Sequence, residues 1–211
     1  MGLDLTVFAA DWERLRAFPA EHRTGALEDA VWPPDVPFEE EAARYGLPGG
    51  WLWPPDTERP WCAEYRFFGT TGSYRPHSRA GDGWADMRVL ADASLRGAMD
   101  TFLDGLIWDA APAADAVTAD AGGLFPATAG PGPARRSRVL LVCPPAAAPG
   151  KALAWERVEP RLEELRGPFT AECTGWAGRP DTFEEFTGLL REWAEVVRET
   201  ARRGWGLVGL S

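Results

Sequence analysis

Alternating apolar and polar positions predict a half-buried strand at the start of the chain. Leu3, Leu5 and Val7 alternate with polar neighbours, so one face of the strand would be buried. The continuous apolar run at the end of residues 137–143 is typical of a strand covered on both faces. By such patterns, strands are predicted over residues 3–9, 61–68, 137–143, 169–174 and 205–210.

Apolar positions spaced three and four residues apart predict two amphipathic helices. In the stronger one, a capping box of Thr182 and Glu185 precedes an apolar stripe, and Gly204 supplies the left-handed end. Asp92 caps the other helix, whose apolar face begins at Leu95. The length of the chain predicts a single domain over residues 1–211. Helices alternating with strands predict an α/β or α+β class. We expect a mixed sheet of about five strands with helices packed on it.

Glycine and proline interrupt these patterns in two places. Residues 69–83 contain four glycines and a proline, which predicts a long loop. Residues 110–136 are rich in Ala, Pro and Gly with few large apolar side chains, which predicts a linker or disordered insertion. The N-terminal half is also expected to carry long loops rich in Trp, Gly and Pro.

Eleven tryptophans in 211 residues are an unusual surplus. Two of them begin the same tetrapeptide, Trp-Pro-Pro-Asp, at Trp32 and at Trp53. Each ring would either anchor an extended segment on the core or belong to a paired aromatic surface for a protein partner. Trp32 and Trp53 are therefore the candidate partner-binding residues.

Charge and cysteine content exclude several kinds of protein. A net charge of −10 argues against binding to a nucleic-acid backbone, and no run approaches the ~20 apolar residues of a membrane span. Three cysteines far apart and two histidines indicate neither a disulfide framework nor a metal centre. A cytoplasmic location follows most simply. Abundant Ala, Gly, Pro and Arg, with Lys151 the single lysine, are typical of a GC-rich bacterial genome.

Two cofactor motifs match only in part. Residues 204–209 spell G-x-G-x-x-G, but only two residues follow, so no helix can present its N-terminus to a pyrophosphate. Residues 139–151 have the order of a phosphate loop, but Pro145 replaces the first glycine and Ala152 the magnesium-binding hydroxyl. No cofactor is predicted.

Residues 65–88 are the most chemically diverse segment, and they carry no net negative charge within an acidic half. Arginines there could hold an anion, and His77 is the one candidate for proton transfer. The alternative is a surface loop whose arginines pair with the acidic body. The candidate ligand-binding residues are Arg66, Tyr74, Arg75, Arg79 and Trp84.

Two functions from different classes fit these observations. The first is a non-catalytic intracellular binding or regulatory protein, comparable to a bacterial immunity protein, that contacts a protein partner through acidic and aromatic surface. The second is an enzyme or sensor acting on a small anionic ligand at residues 65–88.

Overall fold

One antiparallel sheet runs through the protein, seen here in a computed structural model that describes residues 3–34, 49–55, 58–106, 124–125 and 139–211. Across these residues the strand order is β2-β3-β1-β5-β4, and every described pair is antiparallel. The combination of a five-stranded sheet with helices is confirmed, whereas the expected mixture of parallel and antiparallel pairs is wrong. The strands are β1 (Thr6–Ala10), β2 (Gly50–Leu52), β3 (Cys62–Arg66), β4 (Val139–Cys143) and β5 (Gly206–Leu210).

Helices cover both faces of the sheet. Successive strand residues point to opposite faces, and in this sheet both faces carry apolar side chains that need cover. In β1, Val7 and Ala9 join one buried cluster, whereas Phe8 and Ala10 join another. The second cluster also takes residues of α1 and α2, and the first takes those of α3 to α7. The helices are α1 (Trp12–Arg16), α2 (Arg23–Val31), α3 (Arg75–Met87), α4 (Ala93–Leu103), α5 (Ala148–Val158), α6 (Arg166–Glu172) and α7 (Phe183–Arg203), with 3₁₀ turns at Ala20–His22, Arg88–Leu90 and Glu159–Leu165.

The two amphipathic helices begin at their predicted caps, and α7 also ends as predicted. The Thr182 hydroxyl accepts a hydrogen bond from the Glu185 N–H at 3.0 Å, and Gly204 ends α7 in the left-handed conformation, with φ of 68°. The Asp92 carboxylate likewise caps α4 by accepting from the N–H groups of Ser94 and Leu95. Both predictions are confirmed.

The predicted loop over residues 69–83 is wrong in its second half, because α3 begins at Arg75. Pro76 occupies the first turn, where its missing N–H costs nothing. A Cβ atom on Gly83 would lie 3.2 Å from Pro180 and 3.4 Å from the Cys173 sulfur. A glycine that signals a loop in the sequence thus permits close packing on α6 and the segment that follows it.

The predicted strand over residues 169–174 is also wrong, because residues 166–172 form α6. Phe169 is buried among Phe183 and Phe186 of α7, so tertiary packing decides this segment. Conversely, β2 is a three-residue strand in a segment expected to be irregular. Within residues 110–136, Leu124 and Phe125 are buried against the second cluster, and the rest lies outside the described residues.

Candidate functional site at the pocket between α3 and α7

α3 divides most of the candidate residues of segment 65–88 between its faces, although the rings of Tyr74 and His77 lie 6.3 Å apart. His77 and Trp84, seven residues apart, both lie on the buried face. Arg75 is exposed, and Arg79 is partly buried. Tyr74 precedes the helix, where its N–H bonds to the Leu3 carbonyl.

His77 is a core residue in this structure, with 1% of its surface exposed. Its Nδ1 accepts a hydrogen bond from the Trp193 indole at 3.1 Å, and the Phe67 ring lies edge-on at 4.7 Å between centroids. Burial lowers the pKa of His77 to about 3, because an imidazolium there would lack water. The imidazole is thus neutral at physiological pH.

Trp84 and two of the arginines also have partners within the chain. The Trp84 indole donates to the Asp100 carboxylate at 3.0 Å, which ties α3 to α4. Arg79 lies 3.8 Å from the Asp181 carboxylate, and the Arg66 Nε lies 4.0 Å from Glu64. These contacts agree with the alternative expectation that the arginines form ion pairs with acidic residues of the same protein.

A cavity of about 430 Å³ lies beside Arg66. Its wall includes the backbone turn from Gly69 to Gly72, and also the carboxylates of Asp4 and Glu64. An anion held by Arg66 would therefore meet two negative charges in the same cavity.

The structure does not bring Trp32 and Trp53 together. Trp32 packs against the cluster on one face of the sheet, where its indole donates to Glu64 at 2.6 Å. Trp53 packs against the cluster on the opposite face, stacked on Trp51 at 5.5 Å and covered by the Arg203 guanidinium at 4.2 Å. The two Trp-Pro-Pro segments thus pack on opposite faces of the sheet.

A cavity of about 240 Å³ opens between α3, α7 and the end of β3, and we call it the α3–α7 pocket. Its wall is mostly apolar, and two carboxylates, those of Glu185 and Glu192, also line it. The Phe68 ring stands at this pocket with 52% of its surface exposed, and it lies against the backbone of Gly49. The apolar wall consists mainly of Phe68, Pro76, Ala80, Pro180, Phe186 and Leu189.

Glu192 is the electrostatic feature of the α3–α7 pocket. Burial raises its pKa to about 7, although a hydrogen bond from the Phe68 N–H at 2.7 Å favours the ionised form. The neighbouring charge of Glu195 raises the pKa further. Glu195 in turn accepts a hydrogen bond from the Tyr65 hydroxyl at 3.1 Å. A carboxylate that titrates near neutrality therefore faces an apolar cavity.

No protein-family model, curated protein or solved structure matches this chain. In the described residues, no three His, Cys, Asp or Glu side chains are grouped closely enough to hold a metal ion. None of the described helices combines the length and apolar character needed to cross a membrane.

The near-matches to cofactor motifs have structural roles instead. β4 and α5 do form a strand, loop and helix in the order of a phosphate loop. Lys151, however, is buried, and its ammonium donates to the carbonyls of Thr101 and Asp104 at the end of α4. Gly206 and Gly209 in β5 pack against side chains, since an added Cβ would clash with Trp12 and Leu141 respectively.

Sequence reasoning missed Phe68, Gly188 and Glu192 as site residues. A signal was present in α7, where Glu185, Gly188 and Glu192 recur at helical spacing beside the apolar stripe. A row of such residues beside an apolar stripe is normally exposed to solvent. Only the position of α3 opposite α7 shows that this row borders a cavity.

Proposed function

We propose that the chain is a non-catalytic binding or regulatory protein, comparable to an immunity protein, that contacts a protein partner at the α3–α7 pocket. The observation that carries this proposal is Phe68, a half-exposed aromatic ring beside an apolar cavity with acidic residues in its wall. Aromatic anchors and adjoining pockets are typical centres of protein interfaces.

A binding role is supported over catalysis by the state of His77. General acid–base catalysis needs a group with a pKa near the working pH and within reach of the substrate. His77 is sealed among aromatic rings and stays neutral, which is unfavourable for proton transfer to a ligand. Glu192 has a suitable pKa, but it faces an apolar wall.

The charge of the protein supports a basic partner. The chain carries −10 overall, and Glu185 and Glu192 line the α3–α7 pocket. Complementary charge speeds association and disfavours acidic competitors. We further expect the protein to act inside a bacterial cell, supported by its composition and three free, buried cysteines.

Site-specific photo-crosslinking in the native host tests this proposal. A photoreactive phenylalanine is placed at Phe68 and, as a matched control, at Leu153, which is exposed at 56% on α5. We expect a discrete protein adduct from position 68 and none from position 153. The adduct is then purified and recombined with the protein, and Phe68→Asp should abolish a complex that Leu153→Asp retains. A partner that binds Phe68→Asp normally would refute the proposal, as would equal crosslinking at both positions.

A second candidate function, binding of a small anion, is favoured by the cavity beside Arg66. Thermal-shift measurements with inorganic phosphate and citrate test it. A saturable rise in Tm that is lost in Arg66→Ala would support an enzyme or sensor. Identical responses of the two proteins would leave the protein-partner function as the better supported.

A further inference from the structure

We propose that the α3–α7 pocket receives one arginine side chain of the partner, with Glu192 as its counter-ion and the Phe68 ring as its stacking surface. This inference rests on the proposed function and names the group that the pocket recognises. Three independent features of the pocket support it: its size, its charge and a glycine in its wall.

The size of the pocket suits a single side chain. Ligand cavities that enclose drug-sized molecules span about 300–1,000 Å³. The α3–α7 pocket measures about 240 Å³ and is open on one side, with an apolar wall for a methylene chain. A side chain inserted from a partner would fit, whereas a nucleotide or larger cofactor would not.

The charge of the pocket selects a cation. Among its described lining residues there are two carboxylates and no basic group. One Glu192 oxygen accepts from the Phe68 N–H, and Glu192 forms no other hydrogen bond in the described part of the chain. Among the described residues, the half-buried Glu192 carboxylate therefore has no cationic partner.

Guanidinium fits these surroundings better than ammonium. Arginine stays protonated in an apolar cavity, whereas lysine loses its proton more readily when desolvated. The planar guanidinium also stacks on aromatic faces, and the exposed Phe68 ring supplies one at the pocket. Both properties favour arginine as the occupant.

Gly188 keeps the pocket open. It lies inside the 21-residue helix α7, where a glycine destabilises the helix relative to an alanine. A Cβ atom built on Gly188 would contact nothing within 4 Å, so packing does not require a glycine there. What the missing side chain provides is free space at the pocket wall.

Blocked amino acids serve as probes in an NMR titration of the full chain at pH 8. N-acetyl-arginine methylamide should give saturable amide shifts at Phe68, Gly69 and Gly188, with a Kd of about 1–10 mM. N-acetyl-citrulline methylamide has nearly the same shape without the charge. It should bind about tenfold more weakly, as expected for loss of a charge-assisted contact.

Two variants test the named residues. Glu192→Gln retains an acceptor for the Phe68 N–H and should reduce arginine affinity to that of citrulline. Gly188→Leu should fill the pocket and abolish the shifts at Phe68. Gly97→Leu is the matched control, because Gly97 also lies in a helix with nothing within 4 Å of an added Cβ. It should bind the arginine probe normally.

Three results would overturn the inference: equal binding of citrulline and arginine, unchanged arginine binding by Glu192→Gln, or no saturable shift with arginine. Its failure is distinguishable from failure of the proposed function. If the arginine probe does not bind but Phe68→Asp still abolishes the reconstituted complex, the partner uses this surface without inserting an arginine. If Phe68→Asp also has no effect on that complex, both proposals are wrong.

Discussion

The indole N–H of Trp193 donates a hydrogen bond to Nδ1 of His77 at 3.1 Å, and both side chains are buried. The contact joins α7 to α3 inside the larger cluster. Because Nδ1 is the acceptor, the neutral ring carries its proton on Nε2. A protonated ring would instead present two donors, so the indole would lose its partner while a charge appeared in the core.

Acid should therefore destabilise the protein through His77. Its folded pKa of about 3 lies below the ordinary 6.5, so the unfolded chain binds the proton first. Stability from this residue is complete above pH 6.5 and falls as the pH drops toward 3. Between pH 7 and pH 5 we expect titration of His77 to cost the wild type about 2 kcal/mol relative to His77→Gln, measured by urea unfolding of both proteins. His77→Gln keeps an acceptor for Trp193 without titrating, and it should lack this loss; an equal loss in the variant would refute the assignment.

Titration of Glu192 should change the stability of the protein with pH in the opposite direction. Its folded pKa of about 7 exceeds the ordinary 4.5, so its contribution to stability is complete below pH 4.5 and is lost as the pH rises through 7. Glu192→Gln should therefore be more stable than the wild type at pH 8, by on the order of 1 kcal/mol once solvent screening is allowed for. The difference should vanish at pH 4.

Glu184 provides the control for that measurement on the same helix. A hydrogen bond from Arg166 lowers the pKa of Glu184, so Glu184→Gln removes a favourable contact. This variant should not gain stability at pH 8. A gain equal to that of Glu192→Gln would mean that removing any negative charge from α7 stabilises the protein.

Lys151 should be essential to the C-terminal end of α4. Its buried ammonium donates to the carbonyls of Thr101 and Asp104, which have no partners within the helix. Lys151→Met should lower the free energy of unfolding by about 2–3 kcal/mol, measured by urea unfolding. It should also speed amide exchange at the end of α4.

The exposed Arg191 offers a comparison, since Arg191→Met should change stability little. Lys151 should also resist acetic anhydride in the folded protein and react after unfolding, as detected by mass spectrometry. Rapid acetylation of the native protein would show that the ammonium is not buried.

Gly206 should tolerate no side chain. A Cβ atom there would lie 2.1 Å from the Trp12 indole nitrogen and 2.8 Å from the Cys143 carbonyl oxygen. Gly206→Ala must displace a buried ring or a neighbouring strand, so we expect a loss of about 3 kcal/mol in thermal or urea unfolding. Gly97→Ala, with open space around its Cβ, should gain about 0.5–1 kcal/mol. A mild effect at Gly206 would contradict this packing.

Elements with a repeating apolar pattern could be predicted from the sequence. The helix from Phe183 to Arg203 carries both end signals and a long stripe, so local preference and packing agree. β1, β3, β4 and β5 form within or close to their predicted ranges. In contrast, α3 could not be predicted, because Gly81 and Gly83 weaken its intrinsic helix propensity. The close packing of Gly83 on Cys173 and Pro180 compensates for this weak propensity.

The candidate site was harder to predict, because its chemistry depends on which faces meet. His77 has the residue type of a catalyst, but its surroundings are aromatic rings from α7 and the end of β3. Glu192 looks like one of many surface acids, and it acquires an unusual pKa only from its burial in the fold and from the neighbouring charge of Glu195. Composition identified the acidic and aromatic character, while the location required the three-dimensional arrangement.

The position of β5 has a consequence for biosynthesis. β5 pairs with β1 on one side and with β4 on the other, although β1 is made first and residue 210 emerges about two hundred residues later. During translation, the edge of β1 that later pairs with β5 therefore stays unpaired. Its exposed N–H and C=O groups can then pair with other chains. Nascent chains stalled before Gly206 should accordingly depend on chaperones, and those that expose residue 210 should not.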